Sequence, residues 1–294
     1  MNKIRNFDCI MHNITVKDFP NLDLGDKRRD ERFIKIIENI VRHPGSSIPQ
    51  HSDRWYDTKA TYEFFKNEDI TLDSIGAAIG SYGASQLKES RVLVIHDTST
   101  ISYNDLQADG LGYIDNAAGK GIFCHSSIAA TVSGTPLALL NQIIWSRESS
   151  ELGKSASRHK KPFEQKESYK WYDGIATVNK MLAGDVNKIH IGDRDADIYE
   201  LFFNSPAEKA DLLIRARHDR KTAAGSQLWQ HISEQKIAAE EVIIVPDRTG
   251  KRKKEVQVQV RFKEVEILCP VHKKGTVYES VVLTAIEIKQ KGNT

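Results

Sequence analysis

The fold of this chain is decided by the stretch Arg91-Val-Leu-Val-Ile-His-Asp97, in which a short apolar strand runs directly into an aspartate. The stretch Lys188-Ile-His-Ile-Gly-Asp193 repeats this pattern further along the chain. Carboxylates that follow buried strands lie at the carboxyl edge of a sheet, where open α/β sheets build their sites. Two such groups can share hard divalent cations, because these ions favour oxygen ligands. We therefore expect Asp97 and Asp193 to sit at adjacent strand ends, with their carboxylates facing one cleft.

The composition is that of an ordinary soluble protein. The 294 residues are enough for two or three domains, and 28% of them are charged. A net charge of +2 favours an anionic partner only slightly, so any nucleic-acid surface must come from clustered charges. No apolar run reaches the roughly 18–20 residues that a membrane helix needs, which predicts no membrane association.

The three cysteines are scattered at Cys9, Cys124 and Cys269, without the spacing of a metal motif. The N-terminus also lacks the apolar stretch of a secretion signal. Both features predict a cytoplasmic protein, and the cysteine spacing argues against a disulfide framework and a zinc site.

The first 85 residues are predicted to form a helical module. Apolar residues recur at helical spacing between Glu31 and Arg42, and Asp26 and Asp30 are candidate caps for this helix. Two more helices are expected, one over about 53–66 and one after a capping Asp73.

Residues 86–221 are predicted to form an α/β core. The expected order is strands over 91–95, 123–132 and 136–145, a helix that ends at Gly184, a strand over 188–192, a helix from the Asp195–Asp197 turn, and a strand over 211–217. This order is that of a ribonuclease H-like fold.

Residues 222–294 are predicted to be rich in β-strands. Val256, Val258 and Val260 alternate with polar residues, which is typical of a half-buried strand. Further strands are expected over 241–245, 262–268 and 277–288, and the basic segment between 247 and 254 is expected to be a hairpin tip.

Two blocks resemble the first and second catalytic blocks of cut-and-paste DDE transposases: Ile95-His-Asp97-Thr-Ser-Thr-Ile-Ser-Tyr103 and Asp193-Arg-Asp-Ala-Asp-Ile-Tyr199. The similarity is to the insertion-sequence-four family, which includes the transposon-five enzyme. Four more blocks lie in the order and spacing of that family: Leu24-Gly-Asp-Lys-Arg-Arg29, Tyr62-Glu-Phe-Phe-Lys-Asn67, Glu167-Ser-Tyr-Lys-Trp171 and Gly250-Lys-Arg-Lys-Lys254. The resemblance implies a DNA-end-binding domain over 1–85, a ribonuclease H-like core over 86–221 and a β-rich insertion over 222–294.

The resemblance also implies two-metal chemistry on double-stranded DNA. Asp97 and Asp193 would bind two Mg²⁺ ions, with Mn²⁺ as an alternative, to activate the attacking oxygen and stabilise the leaving one. A homodimer would act on transposon terminal repeats in the bacterial cytosol or nucleoid. The family's third carboxylate is a glutamate within a Tyr, Arg, Glu, Lys signature that does not occur before Thr294. We therefore expect an incomplete core, and no transposition by this chain alone.

Basic residues in four places are candidate DNA contacts, because phosphate neutralisation requires clustered cations. Solvated charged surface is the competing interpretation for each cluster. The candidates are Arg28, Arg29 and Arg32 on the first helix, Lys66 after the second, Arg215 and Arg217 after a core strand, and Lys251, Arg252, Lys253 and Lys254 at the hairpin.

Other interpretations remain open on the sequence alone. A catalytically inactive DNA-binding remnant, or an inhibitor of transposition, would keep the helical module without chemistry. A third interpretation is a metal-dependent nuclease unrelated to transposition. The helical module counts against it, because a general nuclease does not need a domain that recognises DNA ends. A calcium loop at Asp193–Asn204 is excluded, because its sixth position is Ile198 rather than glycine and its twelfth is Asn204 rather than glutamate.

Overall fold

The computed structural model describes residues 15–19, 21–103, 108–115, 119–151, 161–182, 184, 186–207, 209–247, 253–273 and 277–292. The chain is a mixed α/β protein with helices and two sheets, as the sequence predicts. It divides into two compact units, Met1–Ile191 and Gly192–Thr294.

The first unit begins with two helices, α1 (Lys27–Arg42) and α2 (Trp55–Phe65). Asp26 caps α1 as predicted, because its carboxylate accepts a hydrogen bond of 2.7 Å from the Arg28 N–H. The first part of the predicted apolar stripe of α1 is buried at Phe33 and Ile34, with Ile37 half-buried beside them. The prediction is wrong for the end of the stripe, because Ile40 and Val41 are exposed. The buried part packs in one core with side chains from α2 and from the segment before α1. The buried members of this core on these segments are Phe19, Leu24, Phe33, Ile34, Ile36 and Phe64.

A third helix, α3 (Leu72–Gln86), begins two residues earlier than a cap at Asp73 would allow. The cap is Thr71, whose hydroxyl oxygen accepts a hydrogen bond of 3.1 Å from the Ser74 N–H. The prediction of Asp73 as the cap is therefore wrong. Asp73 lies instead in the first helical turn, where its negative charge interacts favourably with the helix dipole.

Five strands of the first unit belong to one sheet: β1 (Arg91–Ser102), β2 (Gly112–Tyr113), β3 (Lys120–Ala130), β4 (Pro136–Trp145) and β5 (Asn187–Gly192). β1 lies between β5 and β3, and both β4 and β2 pair with the other edge of β3. The pairings of β3 with β1, β2 and β4 are antiparallel. The turn between β3 and β4 contains Gly134 at φ +89°, a conformation that glycine adopts without steric cost.

β1 does not end at the aspartate, and here the prediction is wrong. The strand continues through Asp97 to Ser102, which pairs with Gly121 of β3. Thr98, Thr100 and Ile101 explain the extension, because β-branched residues fit a pleated surface. Burial on β1 is also one-sided, since Val92, Val94 and His96 are buried while the residues between them are half-buried or exposed.

Two helices pack against this sheet. α4 (Tyr169–Met181) contacts β3 and β4 and buries Trp171, Ile175 and Val178. α3 contacts β4 through Gly80 and Gly83, where the helix and strand backbones approach closely. Ala78 of α3 belongs to the core of the helical module, so α3 contacts both that core and the sheet.

The second unit contains two short helices and four strands: α5 (Tyr199–Asn204), α6 (Leu228–Ser233), β6 (Asp211–Ile214), β7 (Ala239–Pro246), β8 (Lys253–Ile267) and β9 (Val281–Gln290). The last three strands form an antiparallel sheet in the order β7-β8-β9. The β-rich character of this region is confirmed. The expected break between strands over 255–261 and 262–268 is absent, because β8 pairs continuously with β9 from Val258 to Ile267.

Candidate functional site

Asp97 lies in the middle of β1 on the solvent-exposed face of the strand. Its register partner on β3 is Ser126, and the amide of Gln142 on β4 donates to the Ser126 hydroxyl over 3.1 Å. The carboxylate therefore stands on a polar part of the sheet surface. No hydrogen bond or ion pair is recorded for it within the described residues, so its oxygens can accept a ligand.

Asp193 directly follows β5, as predicted, and it is exposed. It caps a short 3₁₀ turn, Arg194–Ala196, because one carboxylate oxygen accepts from the Asp195 N–H over 2.9 Å. The other oxygen has no recorded bond within the described residues. β5 is a neighbour of β1 in the sheet, so the strand that precedes Asp193 lies beside the strand that contains Asp97.

The other two aspartates of this block, Asp195 and Asp197, bind the segment that follows β6. Asp197 is buried, and its carboxylate accepts hydrogen bonds from the backbone N–H groups of Arg217 and His218, at 2.7 and 2.8 Å, and from the Arg220 guanidinium. Asp195 forms an ion pair of 2.8 Å with Arg217. Both carboxylates therefore fix the segment that follows β6, and neither is free as Asp193 is.

The donor chemistry of Asp97 and Asp193 fits Mg²⁺. This ion is bound in proteins through one or two carboxylates, together with water and substrate phosphates. Within the described ranges, no group of three or more His, Cys, Asp or Glu side chains is arranged to hold a metal ion.

A series of hydrogen-bonded side chains, buried except for the half-buried Asn179, joins three strands and a helix on the other face of β1. The Ser127 hydroxyl lies 3.0 Å from His96 Nδ1, His96 Nε2 lies 2.9 Å from His190 Nδ1, and His190 Nε2 lies 3.0 Å from Asn179 Oδ1. His96 and His190 are both buried. These hydrogen bonds were not predicted from the sequence. The alternation of buried residues at Val92 and Val94 would have placed His96 on the buried face of β1.

One choice of tautomer gives every ring nitrogen of His96 and His190 a hydrogen-bond partner. Because Asn179 Oδ1 can only accept, His190 carries its proton on Nε2 and leaves Nδ1 as an acceptor. His96 must then donate from Nε2, and its Nδ1 accepts from the Ser127 hydroxyl. The assignment follows from the hydrogen-bond partners and requires both rings to be neutral.

The histidine pKa values agree with this neutral state. Burial lowers the pKa of His190 to about 4, with a smaller contribution from Lys188. Burial also lowers the pKa of His96 well below its usual value, reinforced by the neighbouring His190 and His125. His125 on β3 bonds to the Thr98 hydroxyl at 2.9 Å and packs edge-on against Trp171, and burial lowers its pKa to about 4. These residues are structural, and His125 is a packed core histidine.

The three arginines of α1 lie in different environments. Arg28 is exposed and pairs with its neighbour Asp26. Arg29 is 27% exposed, pairs with Asp69 and donates to the Leu24 carbonyl. Arg32 is 20% exposed and pairs with Asp57 over 3.1 Å. Arg29 and Arg32 therefore already bind carboxylates within the module, a feature invisible in the sequence because their partners are distant in the chain.

Asp57 of α2 is the buried centre of a charge cluster. Its carboxylate is only 6% exposed and accepts from Arg32 at 3.1 Å and from Lys35 at 2.6 Å. The hydrogen bond from Lys35 lowers the pKa of Asp57 most, followed among the favourable causes by that from Arg32, while burial opposes both. This cluster joins α1 to α2.

The remaining candidate DNA contacts are exposed where the structure describes them. Lys66 follows α2 directly, and Arg215 follows β6. Lys253 and Lys254 begin β8, paired with Pro246 and Val245 of β7. Arg217 is exposed but paired with Asp195, as described above. Lys251 and Arg252 lie outside the described residues.

Comparison with protein families gives a match at the start of the chain. Residues 11–70 match the family model described as transposase DNA-binding. The match includes α1 and α2 and ends just before α3 begins. It supports a transposase that binds DNA. Among the described residues, no helix has the length and apolarity that crossing a bilayer requires.

Proposed function

We propose that this chain is a transposase of the DDE type, from the insertion-sequence-four family, that binds transposon terminal repeats and contributes Asp97 and Asp193 to strand cleavage and transfer. The observation that carries the proposal is the transposase DNA-binding match over residues 11–70. In this proposal the protein acts as a homodimer on double-stranded DNA, in the bacterial cytosol or nucleoid.

The arrangement of the sheet supports the catalytic part of the proposal. In the first unit β4, β3, β1 and β5 lie side by side in this order, and α4 connects the last antiparallel strand to β5. Such an order, with three antiparallel strands followed by a helix and a neighbouring strand, is expected of a ribonuclease H-like core. It agrees with the fold that the sequence blocks imply.

The two aspartates would hold Mg²⁺ or Mn²⁺, and a bound pair of ions would activate the attacking oxygen and stabilise the leaving one. The chain's own contribution is to present two carboxylates with free oxygens. Asp193 is held by its bond to the Asp195 N–H, and Asp97 is held by strand pairing on β1. The resemblance implies a third carboxylate, which we assign to no residue here.

Mn²⁺ binding tests this proposal without requiring catalysis. Titrating the chain with Mn²⁺ and following the electron paramagnetic resonance signal of the free ion should show binding. Asp97→Asn and Asp193→Asn should each weaken it, whereas Asp173→Asn, on the exposed side of α4, should not. Mn²⁺ binding that is absent, or unchanged in both site variants, would favour the catalytically inactive DNA-binding alternative.

A further inference from the structure

The outward side of α2 carries a regular stripe of aromatic and basic side chains. Trp55, Lys59, Tyr62 and Lys66 follow one another at intervals of three or four residues. An α-helix turns about 100° per residue, so these positions fall within about 60° of one another around the axis. Lys66 continues the helical path, with φ −84° and ψ −11°. We call these four residues the α2 stripe.

The α2 stripe is not part of the protein core. Trp55 is 79% exposed and Tyr62 is 45% exposed, and both lysines are exposed as well. The opposite side of α2 is buried through Asp57, Thr61 and Phe64. Large aromatic side chains that stay in water while the other side of the helix forms the core indicate a binding surface.

The charge of the α2 stripe identifies the partner as an anion. Neither Lys59 nor Lys66 has a recorded ion pair with another described residue, so both ammonium groups are available. Arg29 and Arg32, the basic residues first expected to reach DNA, are instead paired with carboxylates inside the module. The stripe also lies within the 11–70 transposase DNA-binding match.

We propose that the α2 stripe is the surface through which this module contacts double-stranded DNA. The two lysines bind backbone phosphates, and the rings of Trp55 and Tyr62 pack against sugars and base edges. The stripe extends about 16 Å along the helix, and the major groove, about 12 Å wide, admits an α-helix. This inference rests on the proposed DNA-binding function and assigns it to particular residues.

Glu63 allows a test of whether the α2 stripe faces DNA. It is exposed on α2, about 60° around the axis from Lys66, so its carboxylate flanks the stripe. If the stripe faces DNA, this carboxylate approaches phosphates and weakens binding. Glu63→Gln should then increase affinity, which no purely structural role of the residue explains.

The experiment measures fluorescence anisotropy of a labelled duplex with the full chain, over a series of salt concentrations. One duplex carries the terminal repeat of the element that encodes the chain, and a second has mixed sequence. Trp55→Ala should weaken binding at least about fivefold, as expected for a central aromatic contact. The double variant Lys59→Gln/Lys66→Gln should reduce the slope of log affinity against log salt by about 1.8, because two phosphate contacts are lost.

Matched controls lie in the second unit. Trp229 is 52% exposed and Lys263 is exposed on β8, so Trp229→Ala and Lys263→Gln remove similar surface groups from residues that do not belong to the module. Both should bind DNA as the wild type does. Melting temperatures of all variants should match the wild type, because none of these side chains is buried.

The possible results distinguish a wrong assignment of the α2 stripe from a wrong proposal that the protein binds DNA. If the wild type binds both duplexes and the stripe variants bind equally well, the α2 stripe is not the DNA surface, and DNA binding by the protein still stands. The same holds if the stripe variants change only the oligomeric state measured by light scattering, since the stripe then contacts protein. If the wild type binds neither duplex, the proposed function itself fails. Weaker binding in the stripe variants alone, with tighter binding in Glu63→Gln, supports the proposal.

Discussion

His96 on β1 donates a hydrogen bond of 2.9 Å to His190 on β5, and both rings are buried. This side-chain bond joins the strand that contains Asp97 to the strand that precedes Asp193. Two neutral imidazoles in a single tautomer satisfy every partner of this bond, with Ser127 and Asn179 at the two ends of the series. The network lies on the face of β1 opposite to Asp97, because His96 is buried and Asp97 is exposed.

Removing His190 should destabilise the first unit. His190→Ala leaves the His96 N–H and the Asn179 amide oxygen without this partner and creates a cavity beside β1. The expected loss in free energy of unfolding is about 2–4 kcal/mol. Urea denaturation followed by circular dichroism measures it, with His218→Ala as the control, because His218 is exposed in the second unit. An unchanged midpoint for His190→Ala would contradict the role given to this network.

Stability should fall as the pH drops from about 6.5 towards 4. Burial lowers the pKa of His125 and of His190 to about 4, whereas histidine in an unfolded chain has a pKa of about 6.5. Below 6.5 the unfolded state binds protons that the folded state does not, so protonation favours unfolding. Each residue can contribute up to about 3 kcal/mol across this window. Melting temperatures between pH 8 and pH 4 should show the fall, and His125→Gln should make it shallower.

The charge cluster at Asp57 should be essential for the helical module. Asp57→Ala leaves Arg32 and Lys35 beside a buried space without their carboxylate. Breaking a buried ion pair on one side costs about 3–5 kcal/mol. Thermal unfolding should show this loss, whereas Asp53→Ala, at an exposed position, should stay close to wild type. Arg32→Ala should also lose stability, so weaker DNA binding by that variant would not identify Arg32 as a DNA contact.

Two glycines of α3 should respond oppositely to alanine. A Cβ at Gly80 would lie 2.2 Å from the Leu140 carbonyl oxygen of β4, and the strand backbone cannot move away. Gly80→Ala should therefore destabilise the protein by about 1–3 kcal/mol. A Cβ at Gly76 meets nothing within 4 Å, so Gly76→Ala should stabilise by up to about 1 kcal/mol through helix propensity. Equal effects at the two positions would mean that α3 does not pack on β4 as described.

Local patterns in the sequence were sufficient to predict most elements. The stripe containing Phe33 and Ile34 predicted α1, and the alternation of Val256 and Val258 predicted β8. The ends of the strands were harder to predict. Pairing with β3, about thirty residues away in the chain, extended β1 past Asp97. Predictions were least complete for polar contacts. Nothing local shows that His96 meets His190, or that Arg32 is held by Asp57, since both partners become neighbours only after folding.

The central claim is that this chain binds double-stranded DNA through its N-terminal module, and salt-dependent DNA binding tests it most directly. The affinity of the full chain for a terminal-repeat duplex should be measured by anisotropy over a range of salt concentrations. We predict measurable binding that weakens steeply and linearly in log affinity against log salt, because phosphate contacts release counterions. Absence of binding to any terminal-repeat duplex, or an affinity that salt leaves unchanged, would contradict the account.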